Sequence, residues 1–424
     1  FDGVSSYMTT ASNLDLTPYR RLRVSYWMKV EETGVGIVWE HSSSFINKPG
    51  SIVADANDGG VGNGKAGVWT NSVSPAHYNL DNYPHAANPG AWQQVTVEFN
   101  RDGVAPDITK VYVNGALVGR GTTAHYTDTV PFLNDILYLG RRGAATNAFF
   151  QGKVDELKIE EFAPQPLKVF ILAGQSNMMG QYADKSALPT ELQNPQEAVI
   201  LRADGTWTAL QPGRNTATAN DFGPEITFGH DMAAAWPDQN IALVKVGYGA
   251  TTLAVDWDPD NPGARYTDFL NAVNAAMAEL SVGYDAQLTG MLWMQGESDA
   301  LNLGYAQAYE ANLENFVTSV REDLGVADLP FVIGQISEAP AWTYGSIVRQ
   351  AQADAARALP FTLMISTADL SLLNNHYDAA GQMALGSRFA GAMLTMIPEP
   401  STACLFGLGG LFLACSAWRR RRAA

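Results

Sequence analysis

Cysteine is almost missing. The 424-residue chain has two, Cys404 and Cys415, and both lie in its apolar last segment. The rest therefore has neither a disulfide framework nor a thiolate zinc site, and must be stabilised by burial. Histidine is scarce, with six in all and only His230 and His376 between residues 167 and 397. Positive charge is short as well: 27 Lys and Arg stand against 43 Asp and Glu, for a formal net charge of −16. Four of those cations are the terminal Arg419 to Arg422, so the body of the chain is more acidic still. Such a surface repels phosphate backbones, which argues against a nucleic-acid partner and leaves neutral or acetylated glycans compatible. No charged-then-apolar leader follows Phe1, and we expect a mature or truncated amino terminus. The composition is that of a globular protein, 46% apolar and 17% charged. The length predicts two domains.

Residues 1–162 read as β structure. Leu22, Val24, Tyr26, Met28 and Val30 alternate with Arg23, Ser25, Trp27 and Lys29, the period of two of a half-buried strand. Val95, Val97 and Phe99 repeat the pattern, and Asp135 to Leu139 and Val154 to Ile159 supply further strands. Asn114-Gly115, between apolar positions, predicts a tight hairpin because both turn residues need positive φ. Many short strands with Gly-rich turns indicate a sandwich or jelly roll. A Pro-bearing linker is expected over 163–166.

From 167 to 397 strands and helices alternate. Short apolar runs at Lys168–Ala173, Ile241–Val246, Leu288–Met294, Pro330–Ile336 and Phe361–Ile365 predict strands. Helices are predicted near Pro224–Ala235, Tyr266–Leu280, Leu303–Leu324, Tyr344–Ala358 and Ala379–Met396. This is the pattern of a parallel sheet covered on both faces, whose sites form beyond the carboxyl ends of the strands. Ser176 follows the first strand and opens a helix, where free N–H groups favour a developing oxyanion. Gly247 to Thr252 form a Gly-bearing turn after the Ile241 strand, and Gln295-Gly296-Glu297-Ser298-Asp299 follow the Leu288 strand. His376 comes after the Phe361 strand and before a helix, whereas His230 lies within a helix. A hydroxyl, a bare backbone turn, an amide with carboxylates and an imidazole are the parts of an acyl-transfer site. The G-x-S-x-G elbow is absent, since Met178 holds the last position.

FDGVSSYM, WQQVTVEFN, KVYVNGALV and GKVDELKIEEF in the first region resemble the laminin-G-like, concanavalin-A-like jelly-roll family. That likeness implies possible glycan binding, with calcium as a possible structural ion. Trp69, Trp92, His77 and His85 are read either as sugar-facing or as core tryptophans and surface histidines. Asp155 is read as a calcium ligand or as a turn stabiliser. In the second region ILAGQSNMMG, DFGPEITFG, GATTLAVDW, WMQGESDA and HYDAAGQMALGSRFA occur in order and resemble the SGNH-hydrolase superfamily. They are most similar to its sialate O-acetylesterase and acetyl-xylan-esterase branch, carbohydrate esterase family six. The resemblance implies a flavodoxin-like three-layer α/β fold, Ser176 as nucleophile and His376 as base. It further implies an oxyanion hole made of the Ser176 N–H, the Gly249 N–H and the Gln295 side chain, with no metal and no cofactor. Many members carry an acid three residues before the histidine, where this chain has Leu373. Glu297 is the first expectation for the acid, with Asp299 and Asp369 as alternatives. Gln175, Asn177 and Trp257 are expected to contact substrate.

Residues 398–424 combine Pro398-Glu399-Pro400, an apolar run from about Ala403 to Trp418 and four arginines. The run is shorter than the roughly 20 residues of a comfortable membrane span, and the arginines would hold the carboxyl end in the cytoplasm. The segment resembles a PEP-CTERM sorting signal, which implies export, an exosortase-type processing partner and membrane association through a short carboxyl-terminal helix before processing. The expected activity is removal of O-acetyl groups from carbohydrates such as sialic acid or xylan. The competing reading is a surface glycan-binding protein with a degenerate esterase domain. A third reading keeps the fold and changes the bond, as in a lipase-like or sulfated-glycan-directed esterase.

Overall fold

The computed structural model describes residues 1–31, 36–44, 48–56, 66–73, 77–83, 90–103, 109–120, 131–143 and 148–397. Two compact units emerge: Phe1–Pro166 with the segments Trp207–Ala209 and Met277–Asp285, and the remainder of the chain.

In the first unit, β1 (Arg21–Val30), β2 (Trp92–Asn100) and β3 (Gly152–Glu161) lie side by side in a five-stranded sheet, in the order 116–120, 109–113, β2, β1, β3. A six-stranded sheet forms from Met8–Thr9, Leu137–Leu139, Ile37–His41, Ile52–Asp55, Ala66–Val73 and His77–Tyr83. The alternation of β1 is realised: Leu22, Val24, Tyr26, Met28 and Val30 are buried, and the residues between them face outward. Their inner face packs on Val38, Trp39, Ile52, Val97, Phe99 and Phe132. Asn114 and Gly115 turn the hairpin between 109–113 and 116–120 with φ of 51° and 83°. Trp92 is exposed, on the edge of the unit rather than in its core. The side chains of Trp69 and His77, and all of His85, lie outside the described residues. Asp155 is exposed at a bulge of β3, where its carboxylate accepts the N–H of Glu156, a residue at φ 51°. Among the described residues no cluster of three His, Cys, Asp or Glu has the geometry to hold a metal ion.

The second unit is built on a seven-stranded sheet. Its strands in chain order are β4 (Gln165–Gly174), β5 (Gln196–Ala203), β6 (Thr206–Leu210), β7 (Asn240–Gly247), β8 (Tyr284–Met294), β9 (Phe331–Gly334) and β10 (Thr362–Ile365). The spatial order is β6-β5-β7-β4-β8-β9-β10, and the pairs β5/β7, β4/β7, β8/β9 and β9/β10 are parallel. One face is covered by α2 (Glu225–Ala235) and α6 (Ala379–Met396), through contacts such as Phe170 on Phe228 and Met393 over Gly290. The other carries α3 (Ala264–Ser281), α4 (Leu303–Asp323) and α5 (Gly345–Ala358), with Phe316 stacked on Trp293 at 4.4 Å.

Two expectations are corrected here. The linker does not extend to 166, because Gln165 and Pro166 already open β4; a proline is tolerated at the start of a strand, where its missing N–H interrupts nothing. The edge strands β5 and β6 went unread, their apolar residues being interspersed with Gln196, Glu197, Arg202 and Thr206. They add to one edge of the sheet and leave the expected order intact. The five strands that the apolar runs predicted, β4, β7, β8, β9 and β10, lie in the order 2-1-3-4-5 of flavodoxin-like sheets, and β5 and β6 extend that sheet beyond β7. From Ile241 onward β7 is buried throughout and takes the inner place, and the more polar β5 is left outside it. Residues 398–424, the expected membrane segment, lie outside the described residues; among the described residues no helix is long and apolar enough to cross a membrane.

Candidate active site

The end of β4 sets the position of Ser176. Gly174 has φ 149°, and a Cβ there would fall 2.0 Å from the Met294 carbonyl oxygen, so only glycine lets β4 and β8 approach this closely. Ser176 then opens α1 (Ser176–Met179), a single turn in which its N–H has no intrahelical acceptor. The left-handed Gly180 closes that turn by donating to Ser176 O at 2.9 Å, packed so tightly that a Cβ would sit 1.9 Å from Phe222 O. Beneath it lies a wholly buried ion pair, Lys245 Nζ to Glu225 Oε2 at 2.8 Å. The Lys245 ammonium also donates to Met179 O and Arg214 O, both at 3.2 Å, so it pins the end of α1. Burial lowers the Lys245 pKa, and the attraction of Glu225 opposes that shift. Sequence reasoning missed this pair. Its signal was a lysine inside an otherwise apolar strand and a glutamate in the DFGPE run.

His376 arrives on a two-residue hairpin between β11 (Leu372–Leu373) and β12 (His376–Tyr377). Asn374 and Asn375 occupy its turn at φ 51° and 67°, the left-handed pair that a type I′ turn requires and that asparagine tolerates. Asp378 caps α6 by accepting from Gly381 N at 2.9 Å, and it also accepts from Ser371 Oγ at 2.5 Å, which ties the hairpin to the helix. In this setting Nε2 of His376 lies 2.9 Å from Ser176 Oγ. Its Nδ1 lies 2.9 Å from the Asn374 carbonyl oxygen. A carbonyl only accepts, so Nδ1 carries the proton and Nε2 offers its lone pair to the serine hydroxyl.

The carboxylates expected to orient this ring are elsewhere. Glu297 is wholly buried and accepts from Asn177 Nδ2 at 2.5 Å; among the described residues it makes no hydrogen bond to His376. Burial pushes its pKa up to about 7, with Asn177 pulling the other way. Asp299 accepts from Gln295 Nε2 (2.6 Å), Leu253 N (2.9 Å) and Ala254 N (3.1 Å), holding the 253–254 loop; burial raises its pKa as well. Asp369 is exposed and forms a bidentate pair with Arg388, which holds its carboxyl down at about 2.

The Gln295 amide is also committed. Its two N–H groups go to Asp299 and to Thr251 O at 2.9 Å, and its oxygen accepts from Tyr309 OH at 3.0 Å. No donor remains for an oxyanion, which corrects that expectation. The Gly249 turn lies beside the helix that Ser176 opens: Tyr248 N donates to Gly174 O at 3.0 Å, and Gly247 and Gly249 lie against Met179. Gly249 itself is exposed.

Gln175, Asn177 and Trp257 lie under the site rather than in it. Trp257 is fully buried among Phe269, Trp293 and Phe316 and donates to Thr251 Oγ1 at 2.9 Å. Gln175 is buried in contact with Gln295, and with its amide turned over it donates to Thr251 O (3.3 Å) and Glu297 Oε2 (3.2 Å). Asn177 accepts from Tyr377 N at 3.1 Å, and its own carbonyl accepts from Gln382 Nε2 at 2.9 Å. Among the described residues Glu297 therefore reaches the His376 hairpin through Asn177. Tyr182, unmarked in the sequence, sits at φ 70° and 42% exposed, with its ring edge-on to His376 at 5.3 Å.

Comparison with known proteins identifies the family. The family model "Carbohydrate esterase, sialic acid-specific acetylesterase" matches residues 166–395. That of the concanavalin A-like lectin/glucanases superfamily matches 2–169, and the PEP-CTERM protein-sorting motif matches 397–422, which marks export and sorting to the cell envelope. A probable carbohydrate esterase of Arabidopsis thaliana is 26% identical over 258 residues, covering 57% of this chain and 95% of that protein. The solved structure of an Arabidopsis thaliana protein aligns with a TM-score of 0.47 at 22% identity, over 55% of this chain and 99% of that one. A carbohydrate acetylesterase from Xanthomonas citri aligns with a TM-score of 0.40 at 15% identity, over 93% and 73% of the two chains. A serine and an imidazole in hydrogen-bonding reach at the strand ends, and a family model spanning the whole domain that holds them, lead to one assignment: the chain belongs to the carbohydrate esterases of the sialic acid-specific acetylesterase family.

Proposed function

We propose that the protein is an exported O-acetylesterase that frees acetyl groups from carbohydrates through a Ser176–His376 dyad. The observation that carries this reading is the 2.9 Å approach of His376 Nε2 to Ser176 Oγ, with Nδ1 tied to the Asn374 carbonyl. Ser176 Oγ attacks the acetyl carbonyl as Nε2 takes its proton. The negative oxygen of the tetrahedral intermediate is met by the N–H groups of Ser176 and Gly249, each such donor being typically worth about 3 kcal/mol. As the intermediate collapses and its bond to the sugar oxygen breaks, the imidazolium gives its proton to that departing oxygen, leaving an acetyl-enzyme. Water repeats the sequence, and acetate leaves. The Asn374 carbonyl fills the orienting role that an aspartate has in other serine hydrolases. It fixes the tautomer without adding a charge.

Substrates in this reading are acetylated sialic acid, xylan or related polysaccharides. The first domain serves as the glycan-binding partner of the esterase. An exosortase-type enzyme removes residues 398–424, which hold the protein at the membrane until they are cut. The test is acetate release from acetylated xylan, acetylated sialic acid and acetylated algal polysaccharide. Wild type is expected to release acetate from at least one of them and to be labelled by a fluorophosphonate. Ser176→Ala is expected to do neither. A Ser176→Ala protein that kept most of the wild-type rate would remove the assignment.

A further inference from the structure

The outer face of the five-stranded sheet carries residues that neither the core nor the esterase site uses. Register places Lys29 of β1 directly between Trp92 of β2 and Lys153 of β3, and places Trp27 between Gln94 and Asp155. Directly paired residues share a face, so these six side chains form one patch. Trp92 is 44% exposed, Gln94, Lys153 and Asp155 are exposed, and Trp27 and Lys29 are half-buried. The two tryptophans are diagonal neighbours, a spacing of about 7–8 Å between backbone positions.

Two features of this patch oppose stability. An exposed tryptophan leaves a large apolar face in water. Lys29 and Lys153 are like charges directly opposite each other, an arrangement that destabilises a strand pair. Neither lysine has an ion-pair partner among the described residues. This doubled cation is a local exception on a chain whose net charge is −16, so a polyanion meets attraction at this patch and repulsion from the rest of the surface. Residues that weaken the sheet and do not serve the core fit an external ligand with flat apolar faces and negative charge. Pyranose rings provide the first and uronate carboxylates the second.

We propose that Trp27, Lys29, Trp92, Gln94 and Lys153 form a binding platform for a uronate-bearing acidic polysaccharide. The tryptophan rings stack on sugar faces, the two ammonium groups pair with carboxylates, and the Gln94 amide and the Asp155 carboxylate bond to ring hydroxyls. This deepens the reading of the protein as a glycan-directed esterase by naming where and on what chemistry it docks.

The test uses the full chain, with unesterified polygalacturonate as probe and neutral galactomannan as comparison, in affinity electrophoresis and titration calorimetry. Polygalacturonate is expected to bind at 50 mM NaCl and to weaken by about tenfold or more at 500 mM, because screened charges contribute less. Trp92→Ala and Lys153→Glu are each expected to weaken binding by about tenfold, as loss of an anchoring residue does. Both should hydrolyse p-nitrophenyl acetate at the wild-type rate. Absence of polygalacturonate binding, equal affinity for galactomannan, or undiminished binding by both variants overturns the platform. The p-nitrophenyl acetate rate separately reports the esterase assignment, so failure of one reading does not mimic failure of the other.

Discussion

Glu297→Gln separates two views of the buried glutamate. As the acid of a triad, its neutralisation should lower kcat by about 10⁴, the scale of losing the group that orients a catalytic histidine. In the structure Glu297 touches Asn177, and Asn177 touches the hairpin. Glutamine keeps an oxygen to accept the Asn177 amide, so kcat is expected to fall by no more than about tenfold. The stability effect has a definite sign. Burial raises the Glu297 pKa from 4.5 to about 7. A raised acid binds its proton more tightly folded than unfolded, so its contribution is complete below about pH 4.5 and is lost as pH rises through about 7. The shift amounts to about 3 kcal/mol. Glutamine has no such titration, so the stability of Glu297→Gln relative to wild type should improve by about 3 kcal/mol between pH 4 and pH 8. Urea unfolding of both proteins across that range, read on the transition that abolishes esterase activity, measures it. A stability difference that is flat with pH, or a kcat loss of 10³ or more, refutes the reasoning.

Lys245→Met leaves Glu225 buried without its cation beneath α1, and should destabilise the domain by about 3–5 kcal/mol in chemical denaturation. Asn375→Gly should keep the hairpin and the activity, since glycine accepts φ 67°; Asn375→Val should lose most of kcat, because a β-branched residue resists that conformation. Tyr182→Gly should raise the melting temperature by relieving about 1 kcal/mol of strain at φ 70° while lowering kcat/KM several-fold through loss of the ring against His376.

Much of this was legible because two periodicities are robust. The alternation in Leu22 to Val30 and the apolar runs from Lys168 to Ile365 follow from which side chains meet water, and they located most strands and all five long helices of the second domain. Ser176 and His376 were legible because each follows a strand end and because histidine is scarce. The partners of the histidine were not. A carbonyl has no sequence signature, so Asn374 O could not compete with Glu297, Asp299 and Asp369 as a written candidate. Trp257 and Gln295 failed differently. Position in a motif says that a residue matters near the site, and gives no indication whether its side chain points into the cleft or under it. Lys245 was hidden by its neighbours, since a single lysine barely lowers the apolarity of β7.

The corrected polar residues other than Asp369 share one property, by which a dyad suffices in the proposed mechanism. Gln175, Asn177, Gln295, Glu297 and Asp299 are all buried and bonded to one another or to strand-end backbone, and Gln352 of α5 joins them by donating to Gln295 O at 3.0 Å. A buried polar network is rigid when its members are paired and costly when one is not. Here it replaces the apolar packing that would otherwise fill the space beneath the strand ends, and it ties α1, the 251–254 loop and the His376 hairpin to the ends of β4, β8 and β9. With the imidazole fixed from below through Tyr377 N and at its rim by the Asn374 carbonyl, a charged partner has little orientation left to supply. Glu297 lies one amide removed from the hairpin that carries the ring. Substitutions in this layer should therefore lower kcat through misplacement of His376, with KM nearly unchanged. Substitutions on the exposed rim, such as Tyr182, should act on KM as well.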